Sequence, residues 1–223
     1  MGKYSNAYFE RYAKLCLTMV IDPCFAEFVR IDEAYPSNNY TFPDLIPPEG
    51  SNSNIGVEVT RALTPERGQE ITWIAQNFGE NKTAEQINLD REKRFHSVKS
   101  KCTTIDGCTV GPGYSYNSDL SAKIITEKIE RKLEKLNSTV STKKLYKSNR
   151  LFVFAHVSLS SIAIEKVLEK TKHNKFDLYF DIIYIMGNDT LYVLTNGNEK
   201  TFKTIPIDSE ILEDIKSEAN PLL

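Results

Sequence analysis

The stretch that most restricts how this chain can fold is IGVEVTRA, residues 55–62. Ile55, Val57 and Val59 alternate as the apolar side of a strand alternates. The same period puts Gly56, Glu58 and Thr60 on the opposite side. A carboxylate inside a β-branched run costs free energy unless a partner meets it. Glu58 is flanked on its own side by a residue without a side chain and by a small hydroxyl, which leaves room beside it.

A second acid lies within reach. Asp44 follows Pro43 and begins a short extended piece at residues 44–46, and a proline-rich turn separates it from residue 55. Antiparallel pairing would bring Asp44 and Glu58 together at one end of a hairpin. Two hard carboxylates so placed suit a hard divalent cation that keeps several waters for substrate and nucleophile. The other reading is a solvent-facing Glu58 and an Asp44 that merely belongs to a turn.

The helix predicted at residues 120–136 adds a third group. At 100° per residue, Ile125, Ile129, Leu133 and Leu136 define its apolar face. Lys132 falls within that arc, Lys128 sits at its edge, and Lys123, Arg131 and Lys135 fall farther off. A lysine centred on a core-facing stripe either snorkels or meets a carboxylate. An inward lysine and two unexplained acids in one chain would each remove the other's cost.

The surrounding order is that of an α/β protein. Residues 6–34 carry helical spacing (Tyr8, Tyr12, Leu15, Met19) interrupted by Pro23, with a second short helix through Phe25, Phe28 and Val29. Thr64 and Pro65 open a helix over about 64–78, and a charged helical segment follows to Lys101. Residues 102–118 read as loop, since the glycines of GCTVGPG fit no phosphate-cradling pattern. RLFVFAHV, residues 150–157, has the length and β content of a buried strand. An amphipathic helix over SIAIEKVLEKTKH and three strands, FDIIYIM, TLYVLTN and TFKTIPI, complete the chain. We therefore expect one domain with a mixed central sheet flanked by helices. Its core would span about 7–63 and 119–207, with an insertion at about 64–118 and an acidic C-terminal tail at about 208–223.

Composition narrows the partners. The 223 residues are 40% hydrophobic and 26% charged, and no apolar run is long enough to span a membrane. Charges in MGKYSNAYFERYAK occupy the place of a signal peptide's apolar core, so a cytoplasmic protein is expected and the sequons at Asn81, Asn137 and Asn188 are chance matches. Cys16, Cys24, Cys102 and Cys108 form no CxxC pair, and His96, His156 and His173 are scattered, so neither zinc nor a disulfide framework is expected. Residues 91–150 hold fourteen Lys and Arg against six Asp and Glu; with −2 overall, the rest of the chain carries −10. Such asymmetry suits a surface facing a polyanion, and equally suits solvated helix faces rich in lysine.

FPDL, fourteen residues from Asp44 to Glu58, then GVEVT resembles the core of the PD-(D/E)XK nuclease superfamily, the restriction-endonuclease-like fold. The resemblance covers about residues 7–157. It implies that Asp44 and Glu58, with a backbone carbonyl from Val59, hold Mg²⁺ (Mn²⁺ as substitute). Thr60 stands where the motif has lysine. Some branches supply that lysine from the following helix, which implies Lys132, with Lys128 as the substitute. An acid from the first helical region joins the site in some branches, and Glu27 is the nearest candidate. The activity implied is metal-assisted phosphodiester hydrolysis on nucleic acid, with DNA favoured over RNA. Arg91, Lys93, Arg94, Lys99 and Lys101 would lie along the phosphate backbone. Two other classes stand beside it: an inactive nuclease-fold binding or assembly module, and an unrelated α/β interaction protein. Sequence specificity and oligomeric state are not legible in the residues.

Overall fold

A computed structural model describes residues 6–37, 42–63, 73, 84–94, 103–105, 108–110, 118–138, 145–155, 159–171, 175–196 and 200–219. The helix expected over 64–78 falls outside these apart from Trp73, as do Lys99, Lys101, Cys102 and all three histidines.

The fold is a mixed seven-stranded sheet between two helical layers, as the alternation of helical and β-rich segments predicts. In chain order the strands are β1 Val29–Arg30, β2 Leu45–Ile46, β3 Ile55–Ala62, β4 Thr103–Ile105, β5 Cys108–Val110, β6 Ser148–Ala155, β7 Ile182–Met186, β8 Thr190–Asn196 and β9 Lys200–Pro206. The main sheet runs β1-β2-β3-β6-β7-β8-β9, while β4 and β5 form a separate two-stranded ladder. The central pairs β3–β6 and β6–β7 are parallel and all others antiparallel. Parallel neighbours need crossovers, and helices supply both. They are α4 Ser118–Asn137 before β6 and α5 Ser161–Lys170 before β7.

Both faces of β6 are covered, which explains why it reads as a continuous apolar run rather than an alternation. Phe152 and Phe154 pack with α1 (Asn6–Cys16) and α6 (Ser209–Ala219) through Phe9, Tyr12, Ala13, Leu212 and Ile215. Leu151, Val153 and Ala155 pack on the other face against Ile125, Ile129, Leu133, Ile164 and Val167 of α4 and α5. The acidic residues after Ile207 are thus the outer face of a docked helix. Asp208 accepts a hydrogen bond from the Glu210 N–H at its start, and Leu212, Ile215 and Ala219 are buried.

Two expectations are corrected. Phe25, Phe28 and Val29 do not share an α-helix: Pro23–Glu27 is a 3₁₀ turn begun by the Asp22 carboxylate accepting the Cys24 N–H, and Val29 starts β1. An i, i+3 apolar spacing is common to both helix types, so periodicity could not tell them apart. Residues 102–118 are not all loop, since β4 and β5 lie within them. The charged helical segment forms α3 Ala84–Arg94, with α2 Ile31–Ala34 as a single turn near the N-terminus. None of the described helices is long and apolar enough to cross a membrane.

Candidate active site

The site grows from the register of the two strands around it. Leu45 pairs with Val57 across the antiparallel β2–β3 ladder, so the next position sets Asp44 opposite Glu58. Gly56 permits this approach. A Cβ there would stand 2.7 Å from both Pro43 Cγ and the Tyr146 ring, two rigid groups that leave no room for it. β2 is only two residues long, and among the described residues no strand pairs with the edge of β3 beyond Val57. Asp44 takes over from the ladder: its Oδ2 accepts the Val59 N–H at 2.7 Å.

Glu58 is no solvent-facing glutamate. It is completely buried, on the face covered by α4. Its Oε1 accepts from the ammonium of Lys132, and from that of Lys135 at 3.4 Å. Among the described residues its Oε2 has no hydrogen-bond partner. Lys132 lies in the Ile125–Ile129–Leu133–Leu136 stripe that drives α4 onto the sheet, and only 18% of its side chain is exposed. The core-facing lysine and the strand carboxylate therefore offset each other, as their positions in sequence anticipate.

Asn6, Phe9, Glu10, Asp44, Glu58, Val59, Thr60, Arg61, Leu63, Lys128, Lys132 and Lys135 enclose a cleft of about 420 Å³. It lies along the bare edge of β3, with α1 contributing from one layer and α4 from the other. Thr60 is buried and brings no charge, so the cations come from elsewhere. Lys135 is one that helical angle misses: it sits a turn from Lys132, and its long stem reaches back to Glu58. Arg61 is another, its guanidinium lying 4.7 Å over the Phe9 ring. The signal available for α4 was the i, i+4, i+7 spacing of Lys128, Lys132 and Lys135 on one flank.

The acid from the N-terminal region is Glu10 of α1 rather than Glu27. Glu27 is exposed at the end of its 3₁₀ turn and does not line the cleft. Glu10 lines it and is held by Arg30 at 2.6 Å. No local pattern marks Glu10, because its partner lies twenty residues away in β1. Among the expected nucleic-acid contacts, Arg91, Lys93 and Arg94 belong to α3, where Lys93 and Arg94 are exposed and neither of these two lines this cleft.

Electrostatics single out Asp44. Burial, reinforced by the charge of Glu58, pushes its carboxyl up to about 8, against the opposing Val59 N–H and Lys132. Burial likewise raises Glu10, with Arg30 opposing. Burial lowers Arg61, and it lowers Lys128 together with the nearby charges of Lys132, Arg131 and Arg61.

The shift at Asp44 has a sign that can be measured. Below about pH 4 the group is protonated in both folded and unfolded chains and contributes nothing. Between about 4 and 8 the unfolded chain has lost the proton that the folded chain keeps, so this residue's contribution to stability falls as pH rises. In chelator, Asp44→Asn should therefore gain on the parent protein in urea unfolding as pH goes from about 5 to about 8. A difference that is flat with pH would contradict the assignment.

The donor set suits a hard cation. Asp44 and Glu58 stand opposite each other in the β2–β3 register and line one cleft. Glu58 Oε2 is a buried oxygen without a partner among the described residues, which in a native protein calls for a water or an ion. Among the described residues no group of three or more His, Cys, Asp or Glu side chains could hold a metal, so any cation here keeps water or backbone oxygen in its shell. Comparisons of the chain with family models, curated proteins and solved structures found no significant match.

Proposed function

We propose that this chain is a metal-dependent nuclease that hydrolyses phosphodiester bonds in nucleic acid, with DNA favoured over RNA, on a restriction-endonuclease-like core. One observation carries the reading. A fully buried glutamate shares a cleft with a second carboxylate just before β2, gives one oxygen to an inward lysine and has no partner for the other among the described residues.

Asp44 and Glu58, with the Val59 carbonyl, would hold Mg²⁺, or Mn²⁺ in its place. The chemistry supplied by such an ion is polarisation of a phosphoryl oxygen and a lowered pKa for the attacking water. The chain's own groups do the rest. Asp44 braces the free edge of β3 through the Val59 N–H, fixing the spacing of the two acids. Glu58 holds the ammonium of Lys132, which would face the place where charge develops on the scissile phosphate. The helical lysine takes the role that Thr60 cannot fill.

A second reading, an inactive nuclease-fold binding module, draws on two features. Thr60 replaces the motif lysine, and the cleft holds four cations (Arg61, Lys128, Lys132 and Lys135) beside Asp44, Glu58 and the Arg30-paired Glu10. Incubating purified protein with single- and double-stranded DNA and RNA, in Mg²⁺ or in chelator, separates the two. Cleavage in Mg²⁺ that stops in chelator is the expected result. Salt-dependent binding with no cleavage of any substrate would favour the inactive module, and neither would leave an unrelated interaction protein.

A further inference from the structure

The cleft has two ends, and the chemistry proposed above uses only one. Asp44, Glu58, Lys132 and Lys135 gather at the first. Along β3 from Glu58 to Arg61 the chain advances about 10 Å, and along α4 from Lys132 back to Lys128 it retreats about 6 Å. Both steps stay within one cleft, whose lining includes Arg61 and Lys128.

The two cations reach that cleft from opposite layers. Arg61 belongs to the face of β3 that packs on α1, as its position over Phe9 shows, whereas Lys128 comes from α4 on the other face. Both line the cleft because, among the described residues, no strand pairs with β3 beyond the Leu45–Val57 pair, which leaves its edge open between the helical layers. Both are partly buried, and neither has an acidic partner among the described residues. Glu10, which also lines the cleft, is occupied by Arg30. Two half-buried cations that repel each other and lack a carboxylate are costly unless an anion joins them. The fork of Arg61 and the point charge of Lys128 suit a phosphate oxygen set.

We infer that Arg61 and Lys128 form an anion subsite that takes a second phosphate of the nucleic-acid chain, adjacent to the phosphate presented to Lys132. The substrate is thereby a polyanion with at least two phosphates, and Arg61 and Lys128 position it. This deepens the nuclease reading and rests on it for the identity of the ligand, but its test needs no metal.

The test is binding of a short fluorescent single-stranded DNA, followed by anisotropy in chelator across a series of salt concentrations. The parent protein is compared with Arg61→Gln, Lys128→Gln and the double variant. Each single substitution should weaken binding by about tenfold, as loss of a charged hydrogen bond does. Each should also flatten the dependence of log K on log salt by about 0.7. Thermal midpoints should hold or rise, since a repelling cation is removed. Inorganic phosphate should raise the midpoint of the parent protein and leave that of the double variant unchanged. Lys128→Gln, remote from the Phe9 contact, carries the test should Arg61→Gln disturb packing. Equal affinity and equal salt slope in Lys128→Gln and the double variant overturn the subsite, even if metal-dependent cleavage is found. Binding lost in the double variant, with no cleavage in any metal, upholds the subsite and sinks the nuclease reading.

Discussion

Glu58→Ala should lower the unfolding free energy by about 3 kcal/mol, read as a shift in urea midpoint at unchanged slope. The substitution strands Lys132, whose ammonium is mostly enclosed beside an apolar stripe, and withdraws the counter-charge from Lys135. Breaking a buried pair by removing one partner costs about 3–5 kcal/mol, and the partial exposure of Lys132 puts this site at the lower end. The paired change Glu58→Leu with Lys132→Met should recover most of that loss, because two apolar groups of similar volume replace two charges that were both expensive to bury. Removing one of two clustered acids relieves repulsion only where that acid is not itself ion-paired. That holds for Asp44, raised by burial and by Glu58, but Glu58 itself is ion-paired. A Glu58→Ala protein as stable as its parent would mean that Lys132 is free to leave the cleft.

The second large effect is on turnover. Asp44→Ala and Lys132→Ala should each reduce Mg²⁺-dependent hydrolysis by on the order of 10²–10³-fold or more, and the double variant should be little worse than either. Groups that act as one unit fail together, because the ligand and the charge-stabilising ammonium serve the same transition state. Lys135→Ala offers an internal contrast: its ammonium is 3.4 Å from Glu58 and 40% of its side chain is exposed, so its removal should cost much less. Single-turnover rates with saturating nucleic acid measure this directly. Cleavage that survives unchanged in Lys132→Ala would remove the lysine from the mechanism, and cleavage that survives in Glu58→Gln would point to a contaminating enzyme.

Much of this arrangement is carried by local periods. The two-residue period of β3 identifies Glu58 as facing away from Val57 and Val59, and the 3.6-residue period of α4 places Lys132 among Ile125, Ile129 and Leu133. Asp44 beside a proline-led extended piece is enough to suggest the hairpin, and the observed Leu45–Val57 register realises it. These inferences hold because strand and helix geometry is set by the backbone within a few residues. Where two structures share a spacing, the sequence misleads, as with Phe25, Phe28 and Val29 in a 3₁₀ turn and strand.

By itself, then, the sequence determined the α/β architecture, the dry β6, and the pairing of a strand carboxylate with a core-facing lysine. Only the tertiary structure decided which other side chains join them. Glu10 enters through Arg30, twenty residues away; Lys135 enters through the reach of its stem. Arg61 and Lys128 come to line one cleft because β2 ends early and, among the described residues, no strand covers the edge beyond it. Long, flexible side chains converging from separate elements obey no local period, since their positions depend on how far each strand extends and how closely the helices pack across it.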